Sequence, residues 1–133
     1  MKILRRMTLF VILAASIFAV FPASPAAAKV TQGGQSPTCN AAIDVWWPAQ
    51  HRAWAKTIVW REARNLPHAA NKRSSARGCF QLLHSLHAGR YNKFRALGCN
   101  PSKWHNADCN ALAALDLFRQ AGRTPWRVTK YTR

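Results

Sequence analysis

Acidic side chains are nearly absent from this chain. Asp44, Glu62, Asp108 and Asp116 are the only carboxylates among 133 residues, against 20 Lys and Arg, which leaves a formal charge of +16. Any carboxylate chemistry must use one of those four. No Cys-x-x-Cys pair occurs, which argues against a zinc site. His84 and His87 are three residues apart with no cluster of further ligands near them in sequence, so neither a metal nor another cofactor is expected. No glycine-rich phosphate loop and no internal repeat is visible. A cysteine nucleophile is disfavoured because the few cysteines present have a structural use.

The first stretch reads as an export signal over residues 1–28. Lys2, Arg5 and Arg6 make a positive start, an apolar run extends from Met7 to Phe21, and Ala26-Ala27-Ala28 offers small residues for cleavage. That run is 15 residues long, short of the roughly 20 that a membrane-spanning helix needs, so no membrane span is expected after cleavage. Cleavage before Lys29 would leave 105 residues. Residues 29–38 (KVTQGGQSPT) lack apolar periodicity and read as a flexible lead-in, and residues 39–133 have the length of one domain. Cys39, Cys79, Cys99 and Cys109 form an even set in a short exported chain, which implies two disulfides. Of the three possible pairings, Cys99 with Cys109 is preferred because it closes a short local loop. Cys39 with Cys79 is then left.

Loss of Lys2, Arg5 and Arg6 would still leave 17 basic residues against four acidic ones. Such a charge draws a protein to polyanions. Export argues against nucleic acid as the partner. It points instead to anionic wall polymers and acidic glycans outside a bacterial cell, with generic adhesion as the plainer alternative.

The pattern predicts a mainly α fold with little or no sheet. Residues 44–64 read as a first helix, with Pro48 near its start and Trp47, His51, Trp54, Ala55 and Ile58 on one face. Residues 65–78 read as a loop, 79–83 as a strand or a single helical turn, and 91–97 as a possible short helix. Residues 106–121 read as the clearest helix, capped by Asn106 or Asp108, with Ala111, Leu112, Leu115 and Phe118 inward and Gly122 and Pro125 ending it.

Three of the acids have ready explanations. Asp44 and Asp108 look like helix-start residues, and Asp116 falls off its helix's apolar face, where water would solvate it. Glu62, the only Glu, instead continues the apolar stripe of the first helix. Burial disfavours the charged form of a carboxyl, and a protonated acid can donate to a leaving oxygen. The ordinary alternative is an ion pair with Arg61 or Arg64.

The residues Ile58-Val59-Trp60-Arg61-Glu62, Asn65-Leu66-Pro67, Ala70-Asn71 and Ser74 through Gln81, with Gly78-x-x-Gln81, resemble the core of lytic transglycosylases, relatives of goose-type lysozymes. The segment from Asn106 to Gly122 and Pro125-Trp126 is similar to their closing helix. The resemblance spans residues 43–126 and implies a lysozyme-like domain that cleaves peptidoglycan. It implies Glu62 as the catalytic acid, with Gln81 and Asn71 facing the glycan and Tyr91 and Trp126 as aromatic surfaces against sugar rings. Ala63 stands where the family usually has Ser, and its Ala-Tyr-Asn motif has no clear counterpart here. A secreted, wall-associated monomer is expected. The competing readings are a wall-glycan-binding module without turnover and a cationic antimicrobial protein.

Overall fold

The computed structural model describes residues 35–127. The expected signal peptide, most of the lead-in and the last six residues lie outside the described range. The fold is mainly α. Its helices are α1 (Cys39–Trp46), α2 (Ala49–Ala63), α3 (His84–Tyr91) and α4 (Ala107–Ala121). A two-stranded antiparallel hairpin, β1 (Ala76–Arg77) and β2 (Leu82–Leu83), lies between α2 and α3. Short 3-10 turns cover Asn92–Leu97, Pro101–Lys103 and Thr124–Trp126.

The expected single helix over 44–64 is two helices. Pro48 has no N–H, and its ring drives the residue before it out of the helical region. Trp47 accordingly takes φ −87°, ψ 142° and ends α1. Asp44 therefore sits inside α1 rather than at a helix start, and its carboxylate pairs with Lys56 of α2 at 2.7 Å. The predicted short helix after residue 83 also moves: residues 84–91 are α-helical, and the following residues form a 3-10 turn that Gly98 closes with φ 80°.

Helix α4 is the centre of the domain and packs against α1 and α3. Every residue from Ala107 to Leu115 is buried. Small side chains in that stretch let neighbouring elements approach on all sides, whereas the last turn, from Arg119 to Ala121, is exposed. The Asn106 side chain caps it by accepting from the Cys109 amide at 3.0 Å. Asp108 does more than favour the helix start. It is buried and accepts from the Ser36 amide at 2.8 Å, the Ser36 hydroxyl at 2.6 Å and Trp46 Nε1 at 2.9 Å. The described end of the expected lead-in is thus tied down, and Thr38 caps α1 through the Ala41 amide. An aromatic cluster of Trp47, Trp54, Phe80, Phe118 and Trp126 fills the space beside α4, with Trp47 stacked on Phe80 at 5.1 Å between centroids.

The disulfides are Cys39–Cys79 and Cys99–Cys109, so this is a small, disulfide-stapled helical domain. Two disulfides suit an extracellular, oxidising setting. No helix among the described residues is long and apolar enough to cross a membrane. The bridges span separations of 40 and 10 residues. Chain-entropy arguments then give about 4 kcal/mol for the first and about 3 for the second. Replacing Cys39 and Cys79 together by Ser should lower the urea midpoint more than replacing Cys99 and Cys109. The reverse order would show that the long loop is already closed in the unfolded chain.

Candidate active site

Glu62 is the penultimate residue of α2. The chain turns sharply after it, because Arg64 and Asn65 both take left-handed conformations, at φ 51° and 63°. Their amides return to the Trp60 and Val59 carbonyls and close the helix end. The chain then reaches the hairpin, where Gln81 sits at the turn with φ 49°. The Gln81 side-chain amide donates to the Ala69 and Gly78 carbonyls, both at 3.0 Å, and fixes that turn. No donor among the described residues reaches Gln81 Oε1.

These two elements meet at a cleft of about 250 Å³. Glu62, Gln81, Leu82, Leu83, His87 and Trp126 line it, together with Phe80, Leu117 and Pro125. Glu62 is the only carboxylate there, and its side chain is 29 % exposed. The ion pair with Arg61 is formed. Arg61 Nε and Nη2 both donate to Glu62 Oε1, at 2.9 and 2.6 Å. Arg61 Nη2 also donates to the Trp126 carbonyl at 2.6 Å, which ties the end of α2 to the last 3-10 turn. Both guanidinium contacts fall on one oxygen, and Oε2 has no hydrogen-bond donor among the described residues.

The structure therefore brings together three of the five expected site residues: Glu62, Gln81 and Trp126. Trp126 is only 6 % exposed; its Nε1 donates to the Phe80 carbonyl, and its ring packs edge-on against Trp54 and Phe80. It forms a wall of the cleft more than a free platform. Asn71 is exposed and outside the cleft lining, and its side chain accepts from the Arg73 amide at 2.7 Å. Tyr91 is not an aromatic surface for sugar. It is buried, and its hydroxyl accepts from Asn110 Nδ2 at 2.7 Å. Burial pushes its phenol up to about 12, against the opposing effect of the Asn110 bond, so it stays protonated. Tyr91→Phe should cost about 1 kcal/mol by removing the shortest contact of Asn110 Nδ2, which keeps the Arg77 and Trp104 carbonyls as acceptors. An unchanged melting temperature would show that the Tyr91 hydroxyl contributes nothing to this junction.

Asn110 was invisible as a key residue in the sequence. It is fully buried, accepts from the Phe80 amide at 2.9 Å, and donates to Tyr91 and to the Arg77 and Trp104 carbonyls. It joins α4, α3 and the hairpin at one point, and so positions Gln81 next to Phe80. Apart from Asp108 at the helix start, it is the one polar letter in the otherwise apolar 107–115 run, and that was the available signal.

Asp116 is not simply solvated. Both Arg90 and Lys93 bind its carboxylate, Lys93 at 2.8 Å. Burial pushes its pKa up, but the hydrogen bonds and charges of Lys93 and Arg90 outweigh burial and bring it below 3.8. A lowered carboxylate pKa contributes stability that is present above the unfolded value and lost as pH falls through the folded one. Asp116→Asn should therefore flatten the acid limb of a stability profile as pH falls through and below the ordinary carboxylate range. An unchanged limb would refute the pairing.

His87 is the remaining polar group in the cleft. Its Nδ1 accepts from Arg90 Nε at 3.4 Å. Burial, and then the Arg90 charge, hold the imidazole below its usual 6.5. Among the described residues no three His, Cys, Asp or Glu side chains converge as metal ligands. No protein family, curated protein or solved structure matches this chain.

Proposed function

We propose that the protein cleaves the bond between N-acetylmuramic acid and N-acetylglucosamine in peptidoglycan, as an exported lytic transglycosylase with Glu62 as both acid and base. The observation that carries this reading is the sharing of one cleft by the single available carboxylate and Gln81. The order of motifs resembling lytic transglycosylases supports it. So does the chemistry, because this route needs one carboxyl where most glycosidases need two.

Protonated Glu62 gives its proton to the glycosidic oxygen, and the C1–O bond breaks. The muramic acetamido oxygen stabilises the positive centre at C1. Glu62, now a carboxylate, takes the proton from the muramic 6-hydroxyl while O6 bonds to C1 and closes a 1,6-anhydro ring. Intramolecular attack of this type reaches effective molarities of about 10⁵ M or more, so no second protein nucleophile is required. Attack by water in place of O6 gives a reducing sugar, the product of a muramidase. The net basic charge of the chain favours accumulation on anionic wall polymers.

One specific contact favours a second reading. Arg61 holds Glu62 Oε1 from two nitrogens, as a purely structural ion pair would. That arrangement suits a wall-glycan-binding module without turnover. Digestion of purified peptidoglycan by the oxidised protein, with mass analysis of the soluble muropeptides, separates the two. Anhydro ends are expected, and reducing ends would assign a muramidase. Firm retention on the glycan with no soluble product would leave the binding module.

A further inference from the structure

We propose that His87 is a substrate-binding residue whose Nε2–H donates to the carbonyl of a 2-acetamido group, making the cleft selective for N-acetylated glycan over unsubstituted glucan. This rests on the reading of the cleft as a glycan site. His87 lines the same cleft as Glu62 and Gln81 but comes from a different element, α3.

The hydrogen-bonding state of its ring follows from its neighbours. Arg90 Nε donates to Nδ1, so Nδ1 is the acceptor nitrogen and the ring proton sits on Nε2. Arg90 is itself fixed. Its other nitrogens bind Asp116 and Gln120 of α4, and Lys93 Nζ holds both oxygens of Asp116, at 2.8 and 2.9 Å. The chain of contacts therefore holds a neutral ring with one defined donor.

The walls around that donor select the acceptor. Leu82, Leu83, Leu117 and Pro125 line the cleft with it, and all are apolar. A neutral donor beside an apolar wall suits a neutral acceptor that carries a small apolar group. An acetamide meets both demands, with its carbonyl on His87 and its methyl against the leucines. A carboxylate would be poorly served, because the nearest guanidinium, on Arg90, is already committed to Asp116 and Gln120. A bare 2-hydroxyl lacks the methyl.

The test measures binding rather than cleavage, in a Glu62→Gln background. Calorimetry would compare the N-acetylglucosamine hexamer with cellohexaose, which has the same linkage and no acetamido groups. Adding His87→Ala should weaken hexamer binding about tenfold, the equivalent of about 1.4 kcal/mol. Adding His87→Gln, whose amide can donate from a similar position, should restore binding to within about threefold. Any binding of cellohexaose should be unaffected by either change. Thermal melting would confirm that α3 tolerates the substitutions. Unchanged hexamer binding in His87→Ala, or equal weakening toward both sugars, would overturn this inference alone. Failure of the Glu62→Gln parent to bind the hexamer would overturn the glycan-site reading and this inference with it.

Discussion

Glu62→Gln is expected to lose at least about 100-fold of the peptidoglycan-cleaving rate while folding as the parent does. Removal of a general acid typically costs a factor of 10²–10⁴. The amide is nearly isosteric with the carboxyl but can neither give up a proton at the leaving oxygen nor take one from the 6-hydroxyl. Its Oε1 can still accept from Arg61 Nε and Nη2, so the tie from α2 to the Trp126 carbonyl need not change. Melting within a few degrees of the parent would confirm that the loss is chemical. Product release measured on the same wall preparation decides the matter, and equal rates in parent and variant would remove Glu62 from any catalytic role. Substitution of Asp44 provides the contrast, because its exposed ion pair with Lys56 lies outside the cleft lining and should cost little stability.

Gly78→Ala should produce the largest loss of stability. Gly78 has φ 75°, where a side chain is strained, and its surroundings leave no room. An added Cβ would lie 2.2 Å from Asn110 Nδ2, 2.7 Å from Asn110 Cγ and 2.7 Å from the Trp104 carbonyl oxygen. None of these can retreat cheaply. Asn110 is held by bonds to four partners, and the Trp104 atom is backbone. Left-handed strain and overpacking together should cost about 3–5 kcal/mol, or about 15–30 °C in melting temperature for a domain of this size. Gly89→Ala is the internal comparison. That position is inside α3 with nothing within 4 Å of an added Cβ, and the change should stabilise by about 0.5–1 kcal/mol. A Gly78→Ala protein melting within about 5 °C of the parent would show that Asn110 has freedom the geometry denies it.

Much of the scaffold was legible because it depends on local or covalent rules. The end of α4 at Gly122 and the Cys99–Cys109 link follow from short-range chemistry and loop length, the cap was narrowed to Asn106 or Asp108, and Cys39–Cys79 came by elimination. The break before α2 was harder, because a proline fits equally well at the first turn of one long helix or between two short ones. Side-chain roles set by distant partners were not legible. Tyr91 reads as an exposed aromatic only until Asn110, 19 residues later, is seen to hold its hydroxyl. Asp116 reads as solvated only until α3 delivers Arg90 and Lys93 to it. Glu62 was singled out because its stripe is local, but its shared wall with His87 depends on how α3 folds back.

All four cysteines are buried, two of them completely. Thiol–disulfide exchange requires an attacking thiolate to reach sulfur; Cys39 and Cys79 expose no surface, whereas Cys99 and Cys109 line a cavity of about 220 Å³. A small-molecule thiol can then cut Cys39–Cys79 only after the surrounding structure has come apart. The onset of alkylation at Cys39 and Cys79 by a thiol-trapping reagent, in the presence of mild reductant, would therefore clock how often the domain opens around them. A link sheltered this way should outlast brief exposure to a reducing medium.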